Sequence, residues 1–388
     1  MAKNIIFCAD GTWNNTGTEV ENKVDAISNV YKLFLHLAGA AAKPTEIIDP
    51  TGNILEVEKS HLLGTEVKQI AKYINGVGNS NFKINRALGG AFGFGLIERI
   101  ARGYTFISRN YEQGDQIYIV GFSRGAYTAR ALAGLICAKG LLAKKFKQGD
   151  EASYDMAQRA WYHYRNDIQL SNYKYKLQNF LTAFSSLKNY LMQNTLTTTD
   201  FVPNVGVNCV AVWDTVGALG IPDFEFDDKR AEVKDAFSFA DLNLSSKVEN
   251  GLHAVALDEM RLLFWPTLWN KRANIKQVVF PGAHSDVGGG YPEAGLSDGA
   301  LVWMIDELTQ LNISFNSMLP NSLAPNALAS AHKTWGKIVK IARELGARAF
   351  PTDGSVVAHQ SLLARRMQMV KHDVTEKEAP YSPKNWRF

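Results

Sequence analysis

The sequence predicts an α/β protein: a mostly parallel central sheet flanked by helices, with helical insertions added to it. Three observations carry that expectation. Short runs rich in β-branched and aromatic residues, ending at Gly, Asp or His, alternate with longer runs of helical periodicity, which is the pattern of a parallel sheet covered on both faces. The 388 residues are 46% hydrophobic and 21% charged, enough apolar material for a sizeable core and far from a disordered or fibrous composition. No internal repeat interrupts the alternation.

Taken in order, Asn4–Ala9 (NIIFCA) reads as the first strand, and residues 21–38 as a helix with Val24, Ile27, Val30, Tyr31 and Phe34 on one face. A second strand is expected within 68–74, a helix over 96–111, a central strand at 116–121 (QIYIVG) and a helix from Arg124 to about Lys139. Residues 207–213 (VNCVAVW) and 275–280 (IKQVVF) read as two further strands, separated by a helix over 246–257, and a helix over 296–311 closes the core. Two stretches break the alternation and read as cap insertions, 144–203 and 222–243. The first is basic and centred on Trp161-Tyr162-His163-Tyr164. It is either a helical cap whose aromatics pack inward or a lid that also meets substrate or a lipid surface. The expected organisation is a core over 1–320 and a peripheral basic segment over 321–388.

Lys plus Arg total 42 and Asp plus Glu 38, a net charge of +4, too small to call for a nucleic-acid partner. Basic charge gathers in 139–176 and 333–388, which permits a partner with a negative surface. Cys8, Cys137 and Cys209 lie in apolar surroundings without C-x-x-C spacing and read as buried, reduced thiols. Asp10 interrupts the first apolar run, so no secretory signal is expected. The longest apolar stretches fall short of the roughly 18 residues a membrane span needs. The expectation is a cytoplasmic product that does not itself cross a bilayer.

Gly121-Phe122-Ser123-Arg124-Gly125 matches G-x-S-x-G, in which small residues flank a serine held on a strained strand-to-helix turn. A serine hydroxyl needs a base, and His284 is placed for that role, after the strand 275–280 and Pro281-Gly282-Ala283 and before Ser285-Asp286-Val287-Gly288-Gly289-Gly290. His253, in the expected helix, and His163, in the insertion, read as structural. The carboxylate that orients the imidazole is Asp214, at the end of 207–213, with Asp286 as its main rival and Asp258 a weaker one. The chain order Ser, Asp, His is that of α/β-hydrolases. Two N–H donors should face the developing oxyanion, one from Arg124 and the other from Gly11 or Thr12 in the loop Asp10-Gly11-Thr12-Trp13-Asn14. Asp10 reads as a brace of that loop. Gly89-Gly90-Ala91-Phe92-Gly93-Phe94-Gly95 lacks a G-K-[ST] sequence and a preceding strand, so it reads as an apolar loop near the site, with Phe92 and Phe94 as acyl-chain contacts. Metal-ligand spacing is absent, so neither metal nor cofactor is expected, a metal-assisted hydrolase being the minor alternative.

The segments GFSRGAYTARALAG, VWDTVGALG, HAVALDEMR and PGAHSDVGGGY, with the opening ADGTWN, resemble an uncharacterised α/β-hydrolase family, domain of unknown function 2235, which includes the first family of type VI secretion lipase effectors. The resemblance runs in order from about Asn4 to Leu311. It implies Ser123 as nucleophile, His284 as base, Asp214 as acid, and type A phospholipase activity on bacterial membrane lipids. It further implies peripheral membrane contact, type VI secretion components and an immunity protein as partners, and delivery into the periplasm of a rival cell. The competing expectations are an esterase or thioesterase acting on small acyl substrates and a non-catalytic binding module on the same fold.

Overall fold

The computed structural model describes residues 2–11, 26–41, 47–48, 54–76, 91–143, 150–172, 196–216, 243–316, 323–333 and 345–386. Its strands are β1 (Asn4–Ala9), β2 (Ala40–Ala41), β3 (Ile47–Ile48), β4 (Ile54–Leu63), β5 (Glu66–Ile74), β6 (Gln116–Phe122), β7 (Leu141–Leu142), β8 (Phe201–Val202), β9 (Val207–Trp213), β10 (Val248–Ala256), β11 (Ile275–Phe280), β12 (Val357–Ala358), β13 (Met369–Lys371) and β14 (Glu378–Pro380). The α-helices are α1 (Asn29–His36), α2 (Ala91–Asn110), α3 (Arg124–Lys139), α4 (Asp150–Asn172), α5 (His284–Gly288), α6 (Gly295–Gln310) and α7 (Gln360–Arg365).

Among the described residues, the main sheet has ten strands in the order β12-β11-β10-β9-β6-β1-β5-β4-β2, with β3 beside β4. From β5 to β12 every pairing is parallel, whereas β4 runs antiparallel to β5, β2 and β3. Because strand side chains alternate, β1 sends Ile5, Phe7 and Ala9 to one face and Ile6 and Cys8 to the other. The first face is covered by α2, α3 and α4 through residues such as Ile100, Tyr104, Leu132 and Trp161. The second is covered by α1 and α6, through Val30, Leu33, Leu301 and Met304.

The structure corrects several expectations. Residues 246–257 are not a helix: Val248–Ala256 is β10, paired in parallel with β9 and β11. A strand buried on both faces is apolar almost without interruption, so its periodicity does not separate it from a buried helix. Leu252, Ala254 and Ala256 face one core, while Val255 and the following Leu257 face another. Of the helix expected over 21–38, residues 29–36 form α1, capped by the Ser28 hydroxyl, which accepts from the Tyr31 N–H at 3.1 Å. Ala91–Gly95, expected in a loop, form the first turns of α2, and Gly89 and Gly90 lie outside the described residues.

The insertions are described in part. Within 144–203, residues 150–172 form α4, whose Trp161 is buried while Tyr154, Tyr162 and Tyr164 pack onto the same core. Residues 173–195, and 217–242 spanning nearly all of the second insertion, lie outside the described residues. The described residues of the C-terminal segment, expected to be peripheral, pack against the sheet. Its β12 extends the sheet beyond β11, and Phe350, Val356, Leu362, Val370 and Tyr381 bury Val255, Leu257 and Val279. No described helix is long and apolar enough to cross a membrane.

Candidate active site

Ser123 stands between the buried strand β6 and α3 with φ 56° and ψ −119°, a conformation that costs a non-glycine residue about 1–3 kcal/mol. The flanking glycines make the turn sterically possible. A Cβ on Gly121 would lie 2.4 Å from the Gly125 carbonyl oxygen, and one on Gly125 would lie 2.1 Å from that of Ala9. Buried small residues behind them, Ala126, Ala129 and Ala133, continue the close approach of α3 to the sheet. Arg124 is the first residue of α3, so its backbone N–H lies at the positive end of that helix.

The parallel register brings the second residue alongside. Phe122 pairs with Trp213, so Ser123 and Asp214 leave neighbouring strands at the same level, and the Ser123 N–H donates to the Trp213 carbonyl at 3.1 Å. The Asp214 N–H donates to the Ala254 carbonyl at 2.7 Å, tying it to β10 as well. His284 opens α5 just past β11. Its ring lies 4.6 Å from that of Phe122, the residue before Ser123, and meets Phe264 edge-on at 4.9 Å.

His284 Nδ1 lies 2.6 Å from Asp214 Oδ2. The carboxylate is fully buried and has further donors. Its Oδ1 accepts from the Ala256 N–H at 2.9 Å and from Arg348 Nη1 at 2.6 Å, while Oδ2 accepts from Arg348 Nη2 at 2.9 Å. Burial pushes the Asp214 carboxyl up, but the Arg348 charge, with hydrogen bonds from His284 and Arg348, outweighs it and holds the carboxyl well below the usual carboxylate range. Burial pushes the His284 imidazole below its ordinary value, and the bond to Asp214 opposes this only in part. An ionised carboxylate has no proton to donate, so Nδ1 carries the hydrogen and the neutral ring keeps its lone pair on Nε2. A neutral imidazole with a free basic nitrogen is the state a general base requires.

The other candidates are engaged elsewhere. Asp286 Oδ2 accepts from the N–H groups of Ala283 and His332, and its Oδ1 lies 2.7 Å from His332 Nδ1. Tyr291 stacks on that His332 ring. Asp258 follows β10, not a helix; its Oδ2 accepts from the Gly282 N–H and the Tyr381 hydroxyl, both at 2.7 Å. Asp10 joins three elements, accepting from the Ser28 and Tyr73 hydroxyls at 2.7 Å each and from the Gly11 N–H at 2.6 Å. The Gly11 amide is thus directed at Asp10, and Thr12 lies outside the described residues. His253 sits on β10, where Nε2 accepts from the Thr215 N–H at 3.1 Å. Burial, with the Arg130 charge nearby, brings its value down to about 3. His163 lies on α4.

Two residues of the site escape sequence reasoning. Arg348 lies in a stretch without a motif, and only the basic bias of that stretch hints at it. Glu259 lies within HAVALDEMR and supports His284: its Oε2 accepts from the His284 N–H at 3.3 Å, while Arg261 forks onto both of its oxygens at 2.8 and 2.7 Å. Arg261 in turn lies 3.6 Å above the Phe264 ring, so one chain of contacts fixes both the backbone and the ring face of His284.

Comparison with known proteins places this geometry in context. The chain is 28% identical over 275 residues to the uncharacterized protein YEL023C of Saccharomyces cerevisiae, covering 67% of this chain and 31% of that protein. Among solved structures, it is similar to an uncharacterized protein from Pseudomonas aeruginosa, at 15% identity and a TM-score of 0.44 over 82% of this chain and 47% of that one. It is also similar to a Tle1 effector bound to the VgrG spike of the type 6 secretion system, at 17% identity and a TM-score of 0.37 over 75% of this chain and 51% of that one. The chain thus spans about a third of the curated relative and about half of each solved chain. Residues 3–307 match the family model described as "T6SS, Phospholipase effector Tle1-like, catalytic domain", and the chain belongs to that family.

Proposed function

We propose that the chain is a serine hydrolase that cleaves carboxylic esters of phospholipids with type A regiochemistry. The observation that carries this reading is the buried Asp214 carboxylate held 2.6 Å from Nδ1 of the buried His284, at the sheet edge where Ser123 occupies its strained turn. His284 Nε2 takes the Ser123 proton as Oγ attacks the ester carbonyl carbon, and Asp214 stabilises the imidazolium that forms. The Arg124 N–H and the positive end of α3 face the developing oxyanion. With the Gly11 amide on Asp10, Thr12 is the remaining sequence candidate for the second donor. His284 returns its proton to the departing lysolipid alkoxide, then activates the water that hydrolyses the acyl-enzyme.

Membership of the effector family supports a wider role as an antibacterial toxin, loaded on type VI secretion components, acting at a target membrane from the periplasm and countered by an immunity protein in the producing cell. The test is fatty-acid release from phosphatidylethanolamine and phosphatidylglycerol vesicles by wild type and Ser123→Ala, with a short-chain ester alongside. Release by wild type alone is expected, and a Ser123→Ala protein that still turns over would overturn the mechanism. Cleavage of the short ester only would make a small-ester hydrolase the better reading. Failure of a fluorophosphonate to label Ser123 would leave a binding module.

A further inference from the structure

We infer that Arg348, from the segment beyond the residues that match the catalytic family model, is a positioning residue that fixes the Asp214 carboxylate in the plane it presents to His284. This rests on the Ser-His-Asp reading above. The Arg348 guanidinium is 1% exposed and forks onto both carboxylate oxygens of Asp214, Nη1 to Oδ1 and Nη2 to Oδ2, the planar geometry that only arginine supplies. The same nitrogens also donate to the carbonyls of Ala256 at 2.6 Å and Phe264 at 2.5 Å. Arg348 thereby joins the end of β10, the acid, and the loop that sets Phe264 against the His284 ring.

The surrounding chain holds the arginine in turn. Leu345 bridges to Arg261, the Gly346 N–H donates to the Met260 carbonyl at 2.8 Å, and Asn385 Nδ2 donates to the carbonyls of Arg348 and Leu257. A buried ion pair contributes little net stability compared with a well-packed apolar pair, so the arrangement calls for a reason other than stability. That reason lies in the reaction. With the guanidinium absent, Asp214 would retain only the Ala256 N–H and the imidazole as donors, and the Asp214–His284 pair would bind a proton more readily, idling the base at a pH where the wild type works.

The test compares wild type, Arg348→Gln and Arg348→Lys on a soluble short-chain p-nitrophenyl ester across pH, with fluorophosphonate labelling of Ser123 and circular dichroism on each. For Arg348→Gln, kcat should fall by roughly 100-fold with KM nearly unchanged, and the acid limb of kcat/KM should move up by about one pH unit. For Arg348→Lys, which keeps the charge and loses the fork, the acid limb should stay near that of wild type while kcat falls by at least about ten-fold. A folded Arg348→Gln with the kcat and acid limb of wild type would overturn the inference. If that variant does not fold, wild-type kcat in Arg348→Lys would do the same. If wild type neither cleaves the ester nor labels, the Ser-His-Asp reading fails and this inference falls with it.

Discussion

A single carboxylate, Asp214, organises the candidate site. It accepts from the backbone of Ala256, from His284 and twice from Arg348, so its plane is set from three sides before substrate arrives. Asp214→Asn should lower kcat on a short-chain ester by about 10⁴-fold, because an amide can present its NH2 to Nδ1 and reverse the imidazole tautomer; steady-state kinetics check this. With His284 as the proposed base, a pH dependence follows. The folded His284 value lies below the ordinary 6.5 because of burial, so the neutral form persists as the pH falls through 6.5 and is lost only below it. The acid limb of kcat/KM in the wild type should therefore have its midpoint below 6.5, and a midpoint above it would show that Asp214 dominates burial.

Two elements carry the geometry, the β6–α3 turn and β10. At the turn, Gly125→Ala would push a methyl group into the Ala9 carbonyl. It should cost about 3 kcal/mol or prevent folding, read as a drop in the urea midpoint. On β10, the buried His253 contributes stability that is fully present above its ordinary 6.5 and is lost as the pH falls from there towards about 3. The stability of the wild type should decline across that window by up to about 1.4 kcal/mol per pH unit more than that of His253→Gln; parallel curves would show that the imidazole is charged in the fold. These elements also mark what the sequence makes legible. The turn is readable because sterics demand a fixed spacing of small residues around Ser123, and His284 because it follows a well-defined strand. β10 is misread because its residues 251–256 are buried on both faces, which removes the alternation of apolar and exposed polar residues that identifies a strand. Arg348 is invisible because it reaches Asp214 from 134 residues away, and no local pattern encodes such a contact.

At the scale of the whole molecule, the C-terminal segment covers the far end of the sheet as a helix would in a simpler α/β protein. Removing everything from residue 345 onward would strip Phe350, Val356, Leu362, Val370 and Tyr381 from their core. At about 1.5–3 kcal/mol for each buried side chain, the loss is comparable to the 5–15 kcal/mol that stabilises a typical domain. A chain ending at 344 should therefore be insoluble or expanded and should not label with fluorophosphonate, although it contains Ser123, Asp214 and His284; size-exclusion chromatography and the probe check this. The order of the strands gives that dependence a direction in time. The sheet starts at β1, in its interior, and its last strand to be made is β12, which pairs with β11 at the far edge. On the ribosome, residues 123, 214 and 284 all emerge before Arg348 and β12, so for that interval the Asp214 carboxylate is without the guanidinium that forks onto it and β11 is without its outer neighbour.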